Sequence, residues 1–296
     1  MNTKRGYILV TAAKNEGENL SKTIQSVAEQ TIKPLVWVIV DDGSTDNTPE
    51  ILKEAEGKYE WIQSIRLEEG TERDLGFHLS SLIRKAFELA VDYCKKNGLD
   101  YEYMGNVDGD MILEHAFFEK LIKELKGDAK LGVTGGGIQY IIGDRVVQPE
   151  GRADEPSGGN MLIRRKCFED CSGIQITWGW DGTLKAKAKI RGWKARRFEY
   201  VKALETRFVG SVEGYWERYR HFGEAGYYFN INPIHALIKS IILLRKKPHY
   251  IGIAYLVGYF SFLIRRKEKI EDEEIRKFFW NKWRKYLTSF SLKRKP

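Results

Sequence analysis

Cysteine is scarce in this chain: Cys94, Cys167 and Cys171 are the only three in 296 residues. So small and odd a number excludes a disulfide framework and points to a reducing compartment. Cys167 and Cys171 have helical spacing, but no third or fourth soft ligand accompanies them, so they read as packing residues. Long apolar runs are missing as well. Ile251 to Ile264 holds 14 residues without a charge, short of the ~20 that span a bilayer. The opening Met1-Asn2-Thr3-Lys4-Arg5 leads straight toward a short strand, with no apolar signal-peptide core, and a cytoplasmic location is expected. What remains is globular: 42% hydrophobic and 30% charged residues exclude a disordered chain. The length allows two domains, or one large domain with an appendage.

Charge is present but unevenly placed. Residues 213–296 carry 18 Lys/Arg against 8 Asp/Glu, whereas residues 1–212 carry 31 against 33. The net +8 of the chain therefore belongs to its C-terminal segment. A basic segment seeks an anionic surface, either lipid headgroups or nucleic acid. The acidic first part argues against nucleic acid.

From the N-terminus, Tyr7-Ile8-Leu9-Val10-Thr11 reads as a buried strand and Asn19 to Gln30 as a helix with Leu20, Ile24 and Val27 on one face. Leu35-Val36-Trp37-Val38-Ile39-Val40 is near-continuously apolar, like strands buried on both faces. It ends in Asp41-Asp42-Gly43-Ser44-Thr45-Asp46, where Asp46 or Asn47 is placed to cap a helix reaching Ala55. This β-α-β-α order predicts an α/β fold: a mainly parallel sheet with helices on both faces. Ligands of such sheets sit at the carboxyl ends of the strands. The polar clusters 14–16 and 41–46 both lie there. A third strand is expected over Ile62–Leu67, a polar loop with Arg73 after it, and a helix over Leu79–Lys95. Downstream, a helix is expected over Glu114–Lys126 and a strand from Leu131 into the glycines 135–137. That run lacks the lysine and helix start of a phosphate loop, so its glycines read as structural. A hairpin around Gly143-Asp144 is expected next.

Asn106-Val107-Asp108-Gly109-Asp110 follows another strand. An extended chain puts Asp108 and Asp110 on one side, and Gly109 allows a bend and the close approach of a ligand. Two neighbouring carboxylates need a positive partner. A hard divalent cation, Mg²⁺ or Mn²⁺, bridging to a diphosphate meets that need. An ordinary Asp-Gly turn satisfies the same five letters. Further on, Ser157-Gly158-Gly159-Asn160 enters a strand, where glycines suit backbone near a ligand or a plain turn. Trp178-Gly179-Trp180-Asp181 precedes a basic helix. There Asp181 is either a cap or a functional carboxylate, and the tryptophans a possible ligand platform.

Taken together and in this order, these motifs resemble family 2 glycosyltransferases with the GT-A fold over about residues 7–200. Asp41-Asp42-Gly43-Ser44-Thr45-Asp46 resembles their nucleotide-binding signature and Asp108-Gly109-Asp110 their metal-binding Asp-x-Asp motif. Asp181 resembles their general base, although Trp180 stands where the usual Glu-Asp pair has Glu. The resemblance implies that Thr11, Glu16, Asp42 and Asp108 hold the base and ribose of a nucleotide-diphospho-sugar (UDP, GDP or dTDP). It also implies that Asp108 and Asp110 bind Mn²⁺ or Mg²⁺, that Arg73 lies by the diphosphate, and that Gly159, Asn160 and Trp180 lie toward acceptor or diphosphate. Asp181 would take the acceptor proton and so invert the anomeric configuration.

Beyond the resemblance, Gly214 to Gly223 is dense in aromatic and basic residues. The Gln-x-x-Arg-Trp motif of processive relatives is absent. His221 is a candidate third metal ligand, and Arg218 and Arg220 are candidates for the diphosphate. Pro233 and Pro248 suit helix starts, giving apolar helices over 234–244 and 251–264. Arg245-Lys246-Lys247 and Arg265-Arg266-Lys267 flank the second. Apolar helices with basic flanks suit a membrane interface, or else a helical hairpin that packs on the catalytic domain or on a second copy. The expected arrangement is a catalytic domain over 1–210 and a helical segment over 211–296, peripheral on the inner face of the cell membrane. A last helix is expected over 270–287, ending in Lys293-Arg294-Lys295.

The expected function is thus inverting transfer of a sugar to a glycan or lipid-linked acceptor. Two alternatives stand beside it. One is a sugar nucleotidyltransferase, which usually needs a glycine-rich, basic loop where this chain has Ala12-Ala13-Lys14-Asn15-Glu16. The other is a catalytically inactive binding protein of the same fold, which would not need all of Asp42, Asp108, Asp110 and Asp181. Oligomeric state is not encoded in any motif of the sequence.

Overall fold

The computed structural model describes residues 6–67, 76–142, 145–149, 152–207 and 214–283. The chain divides into two compact units, Met1–Phe208 and Val209–Pro296.

The first unit is built on one mixed sheet. Its strands are β1 (Gly6–Ala13), β2 (Val36–Asp41), β3 (Ile62–Arg66), β4 (Tyr101–Val107), β5 (Met111–Leu113), β6 (Leu131–Ile142), β7 (Arg145–Val147), β8 (Asn160–Arg164) and β9 (Lys194–Glu205). They lie in the order β3-β2-β1-β4-β8-β6-β9-β5, with β7 on β6. Pairs β1–β2, β1–β4, β2–β3 and β6–β9 are parallel, and the others antiparallel.

Alternation along the strands divides the core in two. Tyr7 and Leu9 of β1 and Trp37 and Ile39 of β2 point to one face. There they meet α1 (Leu20–Ala28), α2 (Thr48–Lys58) and α4 (Phe117–Gly127). Ile8 and Val10, with Val36, Val38 and Val40, point to the other. That face is covered by α3 (Phe77–Lys96), α5 (Arg165–Asp170) and α6 (Trp180–Ile190). Each fully buried aliphatic side chain contributes about 1.5–3 kcal/mol. Apolar on both faces, β1 and β2 cannot turn outward without losing several such terms.

Three elements differ from the expectation. The glycine run does not end β6 but lies inside it, and the strand continues to Ile142. A Cβ on Gly136 would stand 2.6 Å from the Val201 carbonyl oxygen, and one on Gly135 3.0 Å from that of Asn160. Close strand packing, not phosphate, explains these glycines. The sequence predicts a strand from Gly192-Trp193-Lys194-Ala195 to Phe198, but β9 extends to Glu205. β5 is a three-residue strand too short to show periodicity, and β9 pairs with it. The Gly143-Asp144 turn lies outside the described residues, but β6 and β7 do pair as a hairpin.

The second unit contains α7 (Gly214–Tyr228), α8 (Pro233–Leu244), α9 (Ile251–Ile264) and α10 (Glu273–Asn281). Pro233 opens α8, and the Asn232 side chain accepts from the Ile234 N–H at 2.9 Å. Pro248 precedes α9 by three residues rather than opening it. α7 and α9 touch backbone to backbone: a Cβ on Gly223 would overlap the Tyr255 carbonyl, and one on Gly258 the Arg220 carbonyl. Tyr259 donates its hydroxyl to the Ile231 carbonyl at 2.6 Å. α10 is capped by Asp272, which accepts from the Ile275 N–H, and is shorter than the expected 270–287. Lys293-Arg294-Lys295 lies outside the described residues. No helix among the described residues is long and apolar enough to cross a membrane.

Candidate active site

The carboxyl ends of β1, β2 and β4 open on one cavity of about 110 Å³. Its walls include Lys14, Glu16, Asp42, His78, Asp108 and Asp110.

The loops after β1 and β2 are interlocked. Asn15, in the left-handed region at φ 54°, donates its N–H to Ser44 Oγ at 2.9 Å and accepts the Thr45 N–H on Oδ1 at 2.8 Å. The Glu16 N–H reaches Thr48 Oγ1 at 2.9 Å, and the Gly17 N–H reaches Asp46 Oδ2 at 2.8 Å. Asp46 also accepts the Thr48 N–H, so Asp46 rather than Asn47 caps α2. Burial opposes the charge of Asp46. The hydrogen bonds from Thr48 and from the backbone outweigh it and hold the carboxyl below its ordinary value. This lattice fixes Asp42, whose side chain is 3% exposed between His78 and Lys14. His78 Nε2 stands 2.8 Å from Oδ1, and Lys14 Nζ 3.2 Å from Oδ2.

β4 ends at Val107, and Asp108-Gly109-Asp110 forms a turn in which the Asp108 carbonyl accepts the Met111 N–H at 3.2 Å. The extended-strand argument therefore does not apply to the pair, yet both carboxylates face the cavity because of the turn. Asn106 donates its side-chain amide to Asp108 Oδ1 at 3.1 Å and to the Gly158 carbonyl at 2.8 Å. Asp108 donates its own N–H to the Gly159 carbonyl at 3.0 Å. A Cβ on Gly159 would strike Asp108 Oδ2, and one on Gly158 would stand 2.9 Å from Asp181 Cβ. The glycine pair is thus required here: it brings Asp108 and Asp181 against successive residues of one backbone.

Asp181 lies in the first turn of α6 and is about one-third exposed. Lys185 Nζ, one turn on, holds Asp181 Oδ2 at 2.9 Å and also donates to the Pro156 carbonyl at 2.7 Å. Burial alone would lower the Lys185 pKa. The carboxylates of Asp181 and Glu155 outweigh burial and raise it, so the ammonium is retained. Lys189 ties the same loop down through Asp154 and Glu155. The loop leading to Gly158 is in this way fastened to α6.

Five sequence-predicted residues of the first unit are not among those lining the cavity: Gly159 and Asp181, placed above, and Thr11, Asn160 and Trp180. Thr11 is fully buried, donating its hydroxyl to the Val107 carbonyl at 2.5 Å and accepting from Trp37 Nε1 at 3.0 Å. Both hydrogen-bonding functions of Thr11 are spent inside the sheet. Asn160 is fully buried against β6, its amide 3.5 Å from the Gly136 carbonyl. Trp180 is 6% exposed and belongs to the core under α6, so it packs beneath Gly158 rather than offering a platform. Arg73 lies outside the described residues. Arg218, Arg220 and His221 belong to α7 of the second unit. There Arg220 and His221 share the buried carboxylate of Glu224, and Arg218 lies over the Phe222 ring.

Sequence reading also missed site residues. Lys14 stands only as a member of the polar cluster 14–16, with no role of its own, and His78 sits outside any motif, since a histidine at the start of a helix carries no signal. Asn106 opens the stretch 106–110 but receives no role. Arg207, two residues past β9, lies beyond the recognised stretch. Its Nη2 stands 2.5 Å from Glu16 Oε2 and its Nε 3.9 Å from Asp110 Oδ2.

Among the described residues, no group of three or more His, Cys, Asp or Glu is placed to hold a metal ion. The pair Asp108 and Asp110 nonetheless fits one kind of site. Its donors are hard carboxylate oxygens on one cavity wall. Small divalent cations commonly use one or two carboxylates and complete their shell with water and phosphate oxygens.

The family model for glycosyl transferase family 2 matches residues 8–177. The chain belongs to glycosyltransferase family 2. Its fold is that family's GT-A arrangement, with a helical C-terminal region. This family 2 glycosyltransferase is 22% identical over 297 residues to a poly-beta-1,6-N-acetyl-D-glucosamine synthase of Staphylococcus epidermidis. That alignment covers 88% of this chain and 65% of the relative, so the chain spans just under two thirds of the relative's length. Among solved structures it is similar to the mannosyltransferase PcManGT from Pyrobaculum calidifontis in complex with GDP-Man and Mn²⁺. The TM-score is 0.55 and the identity 16%, over 88% of this chain and 73% of that one. It is also similar to S. aureus TarS 1–349 in complex with UDP-GlcNAc. There the TM-score is 0.55 and the identity 14%, over 92% of this chain and 78% of that one. At such identities these structures establish the fold.

Proposed function

We propose that this glycosyltransferase moves a sugar from a nucleotide-diphospho-sugar to an acceptor hydroxyl with inversion at the anomeric carbon. The observation that carries this reading is the meeting of five carboxylates. Glu16, Asp42, Asp108 and Asp110 line one cavity, and Asp181 packs against Gly158, next to Gly159 and Asp108.

Asp42, held by Lys14 and His78, accepts hydrogen bonds from the base or ribose. Asp108 contacts the ribose, and Asp108 and Asp110 would hold Mn²⁺ or Mg²⁺. When bound, such a cation supplies positive charge to the departing diphosphate. Asp181 removes the proton from the attacking acceptor hydroxyl as general base. The Lys185 ammonium fixes the direction of that carboxylate and stabilises it while it is ionised. No covalent enzyme intermediate is needed, since one displacement inverts the centre. Arg73 is a further cationic candidate for the same donor.

A glycan or lipid-linked acceptor at a membrane surface fits the second unit. α8 leaves Ile234, Leu237, Ile241 and Leu244 exposed on one stripe, and α9 leaves Ile253, Val257 and Ile264. The basic triplets 245–247 and 265–267 are exposed beyond their ends.

The test is calorimetric binding of UDP-GlcNAc, GDP-mannose and dTDP-sugars, with and without Mn²⁺, to the wild type and Asp110→Ala. Metal-dependent binding of one donor, lost in the variant, is expected. No binding of any donor with metal present would overturn the reading.

A further inference from the structure

We propose that Asn106 is a positioning residue for the transfer step: its buried side-chain amide sets the spacing between the carboxylate of Asp108 and the Gly158 backbone against which Asp181 packs. The inference rests on the transferase reading above and adds to it a residue to which no motif gave a role.

Three observations lead to it. Asn106 is fully buried near the end of β4. Its Nδ2 serves two acceptors at once, Asp108 Oδ1 at 3.1 Å and the Gly158 carbonyl at 2.8 Å. Its Oδ1 is buried with no hydrogen-bond partner. Both neighbours of the amide accept and neither donates, so the nitrogen must face them and the oxygen is left unmatched on the other side. A buried acceptor in that state is costly. An aliphatic side chain would avoid the cost, and the strand's own neighbours Met104 and Val107 are apolar. The sheet therefore does not need an amide at this position; the loops beyond it do.

The amide acts on both halves of the site. Toward Asp108 it fixes one carboxylate oxygen, while the Asp108 N–H holds the Gly159 carbonyl at 3.0 Å. Toward Asp181 it fixes the peptide of Gly158, where a Cβ would stand 2.9 Å from Asp181 Cβ. Lys185 closes the other side of that loop through the Pro156 carbonyl and Asp181 Oδ2. Contacts thus run without a gap from Asp108 through Asn106 and Gly158 to Asp181. The far side of the Asp108–Asp110 turn is fastened separately. Thr206 donates its N–H to the Asp110 carbonyl at 2.9 Å, and its hydroxyl bridges that carbonyl at 3.0 Å and Asn19 Oδ1 at 2.8 Å. Losing the Asn106 amide frees the Asp108 carboxylate and the Gly158 peptide without releasing the turn.

In an inverting displacement the attacking hydroxyl and its base stand opposite the leaving group. A misplacement of about 1 Å costs on the order of 10²-fold in rate. A bound nucleotide can still draw Asp108 into place, so the loss falls on turnover more than on affinity.

The experiment uses the full chain as wild type, Asn106→Leu, Asp181→Asn and the double variant. It measures hydrolysis of UDP-GlcNAc, GDP-mannose and dTDP-glucose with Mn²⁺, water being the acceptor, and calorimetric binding of UDP, GDP and dTDP with Mn²⁺. Leu branches at Cγ as Asn does and leaves no unmatched oxygen; Asn106→Ala, which cannot overpack, repeats the test. Asn106→Leu is expected to bind the preferred nucleoside diphosphate within about threefold of wild type, while kcat falls about 10- to 100-fold. In the Asp181→Asn background the same change costs less than about threefold, because a spacing to an absent base no longer matters. A further loss of about 10-fold in the double variant marks independent damage and overturns the proposal. An unchanged kcat in Asn106→Leu and Asn106→Ala also overturns it, as does a loss of nucleoside diphosphate binding equal to the loss of kcat. A wild type that hydrolyses none of the three donors overturns the transferase reading and the proposal with it.

Discussion

In the first unit, β1 and β2 bury alternating large side chains against helices on two faces. In the second, α7 and α9 approach through Gly223 and Gly258, with peptide against peptide. The first arrangement leaves the strand ends free to carry loops, because the core is made by side chains in the middle of the sheet. There the interlocked segments 14–17 and 41–48 hold Asp42 in place. The second arrangement leaves little freedom in the helix backbones but frees the outer helix faces, which are apolar on α8 and α9. Candidate chemistry is thus concentrated where side chains converge, and exposed apolar surface where backbones converge.

The comparison can be pressed at its sharpest point first. Asp181→Asn should lower turnover about 10²- to 10⁴-fold. Donor affinity by calorimetry and the thermal midpoint should stay near wild type. A parallel loss of donor affinity would move Asp181 from proton transfer to donor binding. Next comes the glycine crossing. Gly258→Val places branched carbon where the Arg220 carbonyl lies and should destabilise the second unit by about 1–3 kcal/mol or more. Hydrogen exchange should quicken in α7 and α9 and leave β1, β2 and β4 protected. Equal acceleration in both units would show that they unfold as one. The smallest effect is expected at the outer faces. Ile241→Glu with Val257→Glu should reduce flotation with phosphatidylglycerol vesicles several-fold, at unchanged donor binding. Flotation indifferent to the pair would remove the lipid surface from the proposed function.

Much of the first unit was legible because the energetics are local to the sequence. Strands buried on both faces must be apolar throughout, and Asp42, Asp108, Asp110 and Asp181 stand in motifs whose order is informative. Other features depended on partners distant in sequence. Thr11 sits at a strand end like a ligand-binding residue, but the Val107 carbonyl and Trp37 claim its hydroxyl. Trp180 reads as an exposed platform until α6 turns it into the core. The glycines 135–137 read as the end of a strand, whereas Phe117 and Val201 require the smallness of Gly136 inside one. Arg207 gave no local signal, since Glu16 lies 191 residues away. The helix crossings of the second unit had none either, because a glycine in a helix shows its use only beside its neighbour.

The pairing of β5 with β9 has a consequence in time. Met111 pairs with Glu205, and Leu113 with Ala203, in the sheet. When the strand that follows the Asp108–Asp110 turn leaves the ribosome, its partner is still some ninety residues from being made. At about 5–20 residues per second, that interval is on the order of 5–20 s. Through it, β1, β2 and β4 can assemble while the turn bearing Asp108 and Asp110 has nothing to fasten its far side. Thr206 and Arg207 emerge directly after β9. The acidic pocket therefore closes late in synthesis, and a chain halted near residue 200 would carry both aspartates without the strand end and cation that hold them in register.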